Sequence, residues 1–275
     1  MGKKFLRQNF FTRPEGPKSS FAGGFGKNCL IVIPARYNSR RFPGKVLAKL
    51  RGKPVVQWCY EAAVRSGLGP VIIATESRRV LDFARGIGAK AVLTSPKCQS
   101  GTDRVREAAK GSKKKFIVNF QGDEPFMRAE TLLAAFKLMR TGCDIATAGA
   151  PITDKADIAN PNCVKIAINK AGRALYFSRS PIPFHHPLSD LKNFPWYKHC
   201  GFYIYRRSSL DRFVKLPPSP LERLERLEQL RALESGMTIG VAVVKLLGPA
   251  IDTPADLKAA ERFIRKHKVT GERGN

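Results

Sequence analysis

The chain is poor in acids. Its 275 residues hold 22 Asp and Glu against 49 Lys and Arg, a formal net charge of +27. That excess permits binding to nucleic acid or to an anionic membrane. It is spread along the whole chain, which reads as general surface composition more than as one binding face. The chain also lacks any apolar run of the length a membrane span needs. Its six cysteines, Cys29, Cys59, Cys98, Cys143, Cys163 and Cys200, include no close pair. Neither a zinc pattern nor a disulfide framework follows from such spacing, so free thiols in a reducing compartment are expected. Residues 1–28 lack periodicity, carry a single acid, Glu15, and have no continuous apolar core of a secretory signal. They read as a basic, disordered extension outside the fold.

What is present starts at Leu30. The stretch 30–45 reads LIVIPARYNSRRFPGK. Its first four residues are apolar and mostly β-branched, as in a buried strand of a parallel sheet. The loop that follows holds Arg36, Arg40, Arg41 and Lys45 around a Pro43-Gly44 break. A buried strand ending in a basic, glycine-containing loop is where an open α/β sheet places an anionic ligand. Phosphates would offset the mutual repulsion of those cations, and the arginine fork suits their oxygens. The loop is not a Walker A motif: Ser39 stands where the first glycine belongs, and Val46 follows the lysine. The bland alternative is a solvated basic loop.

From Cys29 onward, strand-like and helix-like segments alternate. Strands are expected at 71–74, 91–93 and 116–120, and helices over 54–66, 78–86, 102–110 and 129–139. Further on, 163–168, 173–178 and 197–206 read as strands joined by turns. A long amphipathic helix is expected over 221–235, a strand over 238–244 and a closing helix over 255–268. The fold class is α/β: a mostly parallel mixed sheet with helices on both faces and an antiparallel insertion. One domain over 29–268 is the simplest division.

Three more segments carry chemistry. Gln121-Gly122-Asp123-Glu124-Pro125 follows a strand and puts two acids in a basic neighbourhood. Carboxylate plus phosphate is the usual way to hold Mg²⁺, while a plain turn explains the Asp equally well. Asp252 precedes a helix, where either it or Thr253 suits the N-cap. It gains a chemical role only by meeting Asp123 across the sheet edge. Gln99, Ser100, Gly101 and Thr102 open another helix, where a Ser/Thr cap is the plain alternative to contact with a base or phosphate.

Together these segments form a pattern. PARYNSRRFPGK at 34–45, QSGTDR at 99–104, VNFQGDEP at 118–125 and NPNCVK at 160–165 are followed by ALYFSR at 174–179 and KHCGFYIYR at 198–206. PSPLERLERLEQLR at 218–231 and IDTPADL at 251–257 complete the order. The pattern closely resembles the bacterial 3-deoxy-manno-octulosonate (Kdo) cytidylyltransferases, or CMP-Kdo synthetases, over roughly 29–265. The resemblance implies a nucleotide-diphospho-sugar transferase-like fold and transfer of CMP from CTP to the anomeric hydroxyl of a 2-keto sugar acid. It implies Mg²⁺ as cofactor, lipopolysaccharide synthesis in the cytoplasm, and a homodimer. By it, Arg36, Arg41 and Lys45 hold the CTP phosphates, and Asp123 and Asp252 bind the metal. Gln99 to Thr102 frame the cytosine. Gln121, Arg179, His199, Tyr203, Glu228 and Gln229 line the sugar pocket, with Arg179 offering a fork to the substrate carboxylate. Four of these have a plain alternative: a surface ion pair for Arg179, a polar sheet face for His199 and Tyr203, and a helical pair with Arg231 for Glu228. The sequence departs from the pattern at Thr75-Glu76-Ser77-Arg78-Arg79, where relatives carry Thr-Asp and further acids, and at the loop 183–187. Another 2-keto sugar acid, such as 8-amino-Kdo or a sialic-acid-like sugar, is the second reading. A nucleic-acid-binding protein on this fold is the third, and the acids among the basic loops argue against it.

Overall fold

The computed structural model of the protein describes residues 28–39, 41–186, 195–245 and 248–267. Arg40, Pro187 and the extension other than Asn28 fall outside them. In chain order come β1 (Cys29–Pro34), a hairpin of β2 (Lys49–Leu50) and β3 (Lys53–Pro54), α1 (Val55–Arg65), β4 (Val71–Thr75), α2 (Arg78–Gly86) and β5 (Lys90–Leu93). Then follow α3 (Gly101–Ala108), β6 (Phe116–Phe120), α4 (Ala129–Leu138), β7 (Ile145–Pro151), α5 (Ala156–Ala159), β8 (Lys165–Ile168) and β9 (Ala174–Ser178). The last elements are β10 (Tyr197–Arg206), α6 (Arg207–Phe213), α7 (Pro220–Glu225), α8 (Gln229–Glu234), β11 (Ile239–Val243) and α9 (Pro254–His267).

Among the described residues the main sheet has nine strands, seven of them in the order β11-β7-β10-β6-β1-β4-β5. All seven run parallel except β10, which is antiparallel to both β6 and β7. β8 and β9 form an antiparallel pair attached to the start of β10. The antiparallel segment expected from the sequence thus enters the main sheet as well as extending it. Alternation along β1 splits the core. Ile31 and Ile33 face a layer that includes Val56 of α1, Leu132 of α4 and Ile264 of α9. Leu30 and Val32 face a layer with Val105 of α3, Phe213 of α6 and Leu230 of α8. No helix among the described residues is long and apolar enough to cross a membrane.

Two segments differ from the sequence expectation. The single helix expected over 221–235 is two, α7 and α8, separated by Arg226 in the left-handed region at φ 54°. The Arg231 guanidinium closes the bend, donating through Nε and Nη2 to the two Glu222 oxygens at 2.7 and 2.6 Å. Strand β7 escaped the sequence reading because IATAGAP lacks a β-branched run. Small residues are needed there: a side-chain carbon on Gly149 would lie 3.2 Å from the Lys198 carbonyl oxygen.

Candidate active site

The carboxyl ends of β1 and β6 deliver the first residues of the site. Gly122 lets the loop after β6 cross the end of β1: a Cβ there would lie 2.8 Å from the Pro34 carbonyl oxygen. The Ile251 amide donates to the Asp123 carbonyl at 2.9 Å and brings the segment before α9 alongside. Asp252 therefore meets Asp123 at the sheet edge. The Lys45 ammonium lies between them, 2.6 Å from Asp123 Oδ2 and 2.8 Å from Asp252 Oδ1. Arg41 Nη2 lies 2.9 Å from the other oxygen of Asp252. Capping of α9 falls to Thr253 and Asp256, since Asp256 accepts from the Thr253 amide and hydroxyl and its own amide donates back. The Asp252 carboxylate is left for the cations.

Charge sets the titration here. Burial works to raise the Asp252 carboxyl, but Lys45 and Arg41 outweigh it and hold the group below its ordinary value. Burial works equally to deprotonate Lys45, and the two carboxylates overcome it, so the ammonium is held above its ordinary value. Next door, burial and the Asp123 charge push the Glu124 carboxyl up to about 8.

Around this trio is a cavity of about 310 Å³. Arg36, Arg41 and Lys45 line one side, Ser100, Gly101 and Arg104 another, with Gln121 and Asp123 at the end of β6. Ser100 caps α3 with a capping box closed by Asp103, the plain role foreseen for it. Its helix start still faces the cavity. Gln99 is exposed and does not line the cavity. Thr102 is fully buried, and its hydroxyl is spent on Asn119 and Glu228 rather than on the cavity.

Arg104 and Glu76 are site residues that the sequence reading passed over. Glu76 Oε1 accepts from the Tyr37 amide at 2.9 Å and more weakly from the Asn38 amide at 3.5 Å, and so holds the arginine loop. Its Oε2 lies 3.2 Å from Arg104 Nη2, close enough for an ion pair but off the line of a hydrogen bond. Arg104 also bonds the Thr94 hydroxyl. The signals were there: Glu76 stands at a departure from the family pattern, and Arg104 closes QSGTDR.

Of the expected sugar-pocket residues only Gln121 lines this cavity. His199 and Tyr203 share one face of β10, with rings 5.3 Å apart, and Phe177 meets His199 edge-on at 5.1 Å. Burial drives the His199 imidazole down to about 3 and lifts the Tyr203 phenol well above its ordinary value. Glu228 precedes α8 and pairs with Thr102, not with Arg231, and burial raises its carboxyl against bonds from Ser100 and Thr102. Gln229 is buried at the start of α8. The Arg179 fork closes on main chain: Nε, Nη1 and Nη2 donate to the carbonyls of Glu225, Pro161 and Arg226. In this structure it braces the α7–α8 bend.

Comparison with known proteins agrees with this arrangement. The family model described as cytidylyltransferase matches residues 30–239. A 3-deoxy-manno-octulosonate cytidylyltransferase of Elusimicrobium minutum (strain Pei191) is 49% identical over 241 residues, covering 86% of this chain and 98% of its own. An 8-amino-3,8-dideoxy-manno-octulosonate cytidylyltransferase of Shewanella sediminis (strain HAW-EB3) is 43% identical, covering 85% and 97%. A solved structure of CMP:2-keto-3-deoxy-manno-octonic acid synthetase complexed with CTP superposes with a TM-score of 0.80 at 38% identity, covering 87% of this chain and 99% of that one. With its motifs in order, its fold shared with a solved relative and its basic loop set against an acid pair, the chain belongs to the cytidylyltransferase family, among the manno-octulosonate cytidylyltransferases.

Proposed function

We propose that this enzyme transfers CMP from CTP to the anomeric hydroxyl of Kdo, releasing pyrophosphate and making CMP-Kdo for lipopolysaccharide synthesis. The observation that carries the reading is the Lys45 ammonium bridging Asp123 and Asp252, with Arg41 on Asp252 and Arg36 lining the same cavity. Arg36, Arg41 and Lys45 neutralise and orient the triphosphate. The substrate hydroxyl gives its proton to water and bonds to the α-phosphorus, and the bond from that phosphorus to the oxygen it shares with the β-phosphate breaks, releasing pyrophosphate. Negative charge gathers where these cations stand, so positioning and electrostatics supply most of the rate.

The acid pair fits Mg²⁺. Two carboxylates close enough to share one ammonium suit a cation that takes few protein ligands and completes its shell with phosphate and water. Among the described residues no third His, Cys, Asp or Glu joins them. Asp123 and Asp252 would hold the ion. When bound, it neutralises charge on the transferring and leaving phosphates. The six thiols, all free, suit a cytoplasmic enzyme. By the family pattern it works as a homodimer, a state that sedimentation equilibrium tests.

A second reading, CMP transfer to 8-amino-Kdo, is favoured by the Shewanella relatives at 42–43% identity. One assay separates the two: pyrophosphate release with CTP, ATP or GTP against Kdo, 8-amino-Kdo and sialic acid. Release with CTP and Kdo is expected, and it should vanish in EDTA and in Asp123→Ala and Asp252→Ala. Near-normal rates in either folded variant would remove the metal assignment.

A further inference from the structure

Asn119 sits in the central strand β6, fully buried, with Val118 and Phe120 on either side. An amide in that position is costly unless both of its halves are bonded. Both are. Its Oδ1 accepts from Gln121 Nε2 at 3.0 Å, and its Nδ2 donates to Thr102 Oγ1 at 3.1 Å. Thr102 is also fully buried, and its hydroxyl donates to Glu228 Oε2 at 2.9 Å. Four side chains thus form one line from the cavity wall to the α7–α8 bend. They come from β6 and the residue that follows it, from the start of α3 and from the residue before α8.

The line has a direction. Thr102 Oγ1 donates to Glu228 Oε2 and accepts from Asn119 Nδ2, and Asn119 Oδ1 accepts from Gln121 Nε2, so every link runs the same way. The last link uses one Nε2 proton of Gln121 and leaves Oε1 without a bond inside the line. Both ends of that amide lie against Gly101 at the cavity wall: a Cβ there would be 3.5 Å from Oε1 and 3.6 Å from Nε2. We infer that Asn119 and Thr102 are positioning residues for the transfer reaction, a one-way relay through which Glu228 fixes Gln121 with its acceptor oxygen presented to the substrate. The group that Oε1 reads is then a donor, a hydroxyl or an amine of the sugar acid, while the second Nε2 proton stays available as a donor. The relay accounts for Thr102 being buried within a cavity-facing segment. It rests on the reading of Gln121 as a sugar-acid contact.

The test uses the full-length enzyme. Thr102→Val keeps the shape and removes the hydroxyl, while Thr102→Ser keeps the hydroxyl. Loss of one buried hydrogen bond is worth roughly tenfold. Thr102→Val is expected to lower kcat/KM for the sugar acid about tenfold or more, with the Kd for CTP by calorimetry within about twofold of wild type. Thr102→Ser should recover most of that loss. An equally damaged Thr102→Ser, or a CTP affinity that falls in step with kcat/KM, would overturn the relay, since either result describes damage to α3. Should Thr102→Val fail to fold, the side-chain amide NMR spectrum of the wild-type protein decides. The Gln121 Nε2 proton spent on Asn119 exchanges slowly with solvent; exchange at the rate of an exposed glutamine overturns the proposal. That measurement needs no turnover, so it judges the relay even if no sugar acid is activated and the proposed function itself fails.

Discussion

Glu76 offers the sharpest test of how the site is held. Its side chain is 12% exposed and that of Arg104 is 3%, so the pair is largely out of water. Removing one partner leaves a buried charge uncompensated, which costs about 3–5 kcal/mol. Glu76→Gln keeps an acceptor for the Tyr37 amide but loses the charge facing Arg104. It should sit near the low end, about 3 kcal/mol, and Glu76→Ala near the high end. Replacing both partners by leucine removes the stranded charge as well, so the double variant should be more stable than Glu76→Ala. Urea unfolding followed by circular dichroism measures all three, provided the slope with denaturant is unchanged. The CTP affinity moves separately. Glu76→Gln loosens the arginine loop and should raise KM for CTP, whereas the double variant also loses a cavity-lining arginine and should bind CTP worst. A Glu76→Gln loss under about 1 kcal/mol would mean that water reaches the pair and that the buried-charge reasoning is wrong.

Other perturbations test other parts. Lys45→Met should cut kcat/KM for CTP on the order of a hundredfold or more; with no nucleotide present, it should strengthen Mn²⁺ binding seen by electron paramagnetic resonance, because the ammonium no longer holds both carboxylates. Gly122→Ala places a methyl 2.8 Å from the Pro34 carbonyl, and main chain on both sides leaves no easy escape, so a loss of about 1–3 kcal/mol with reduced turnover is expected; an unchanged melting temperature would refute the close approach. His199 titrates at about 3 when folded against an ordinary 6.5. Its folded value is depressed, so the unfolded chain binds the extra proton between those values, and stability present above about pH 6.5 drains away as pH falls toward 3. His199→Gln should therefore lose less melting temperature than wild type between pH 7 and about pH 4; equal losses would show that the ring is solvated.

Much of this was legible in the sequence because it was local. The apolar run Leu30 to Ile33 marks β1, the arginine loop marks its carboxyl end, and QGDEP marks the end of β6. The pairing of Asp123 with Asp252 was legible only as a condition, since 129 positions separate them and nothing local says that Ile251 bonds the Asp123 carbonyl. β7 was hidden because a strand flanked closely by neighbours on both faces needs glycine and alanine, which carry no strand signal. The break at Arg226 was hidden for a different reason. LERLERLEQLR has good helical spacing, and tertiary bonds from Arg231 and Arg179 override it. Thr102 was misplaced because a sequence shows that a hydroxyl is present, not which way it points.

The scarcity of acids sharpens the site. With 22 acids among 275 residues, a carboxylate in a basic neighbourhood is a specific expense, and several of the half-buried ones converge here. Asp123 and Asp252 hold Lys45, Glu76 holds Arg104 and the loop amide, Glu124 takes the Gly201 amide, and Glu228 takes Thr102. A surface built to bind a polyanion gains nothing from carboxylates placed between its cations, since each one cancels a charge the ligand would have met. A phosphoryl-transfer site gains a great deal. It needs cations held at fixed positions before the substrate arrives, and mutually repelling guanidiniums hold position only against anchored anions. The acids that fix these cations, more than the spread of basic charge along the chain, therefore identify the chemistry.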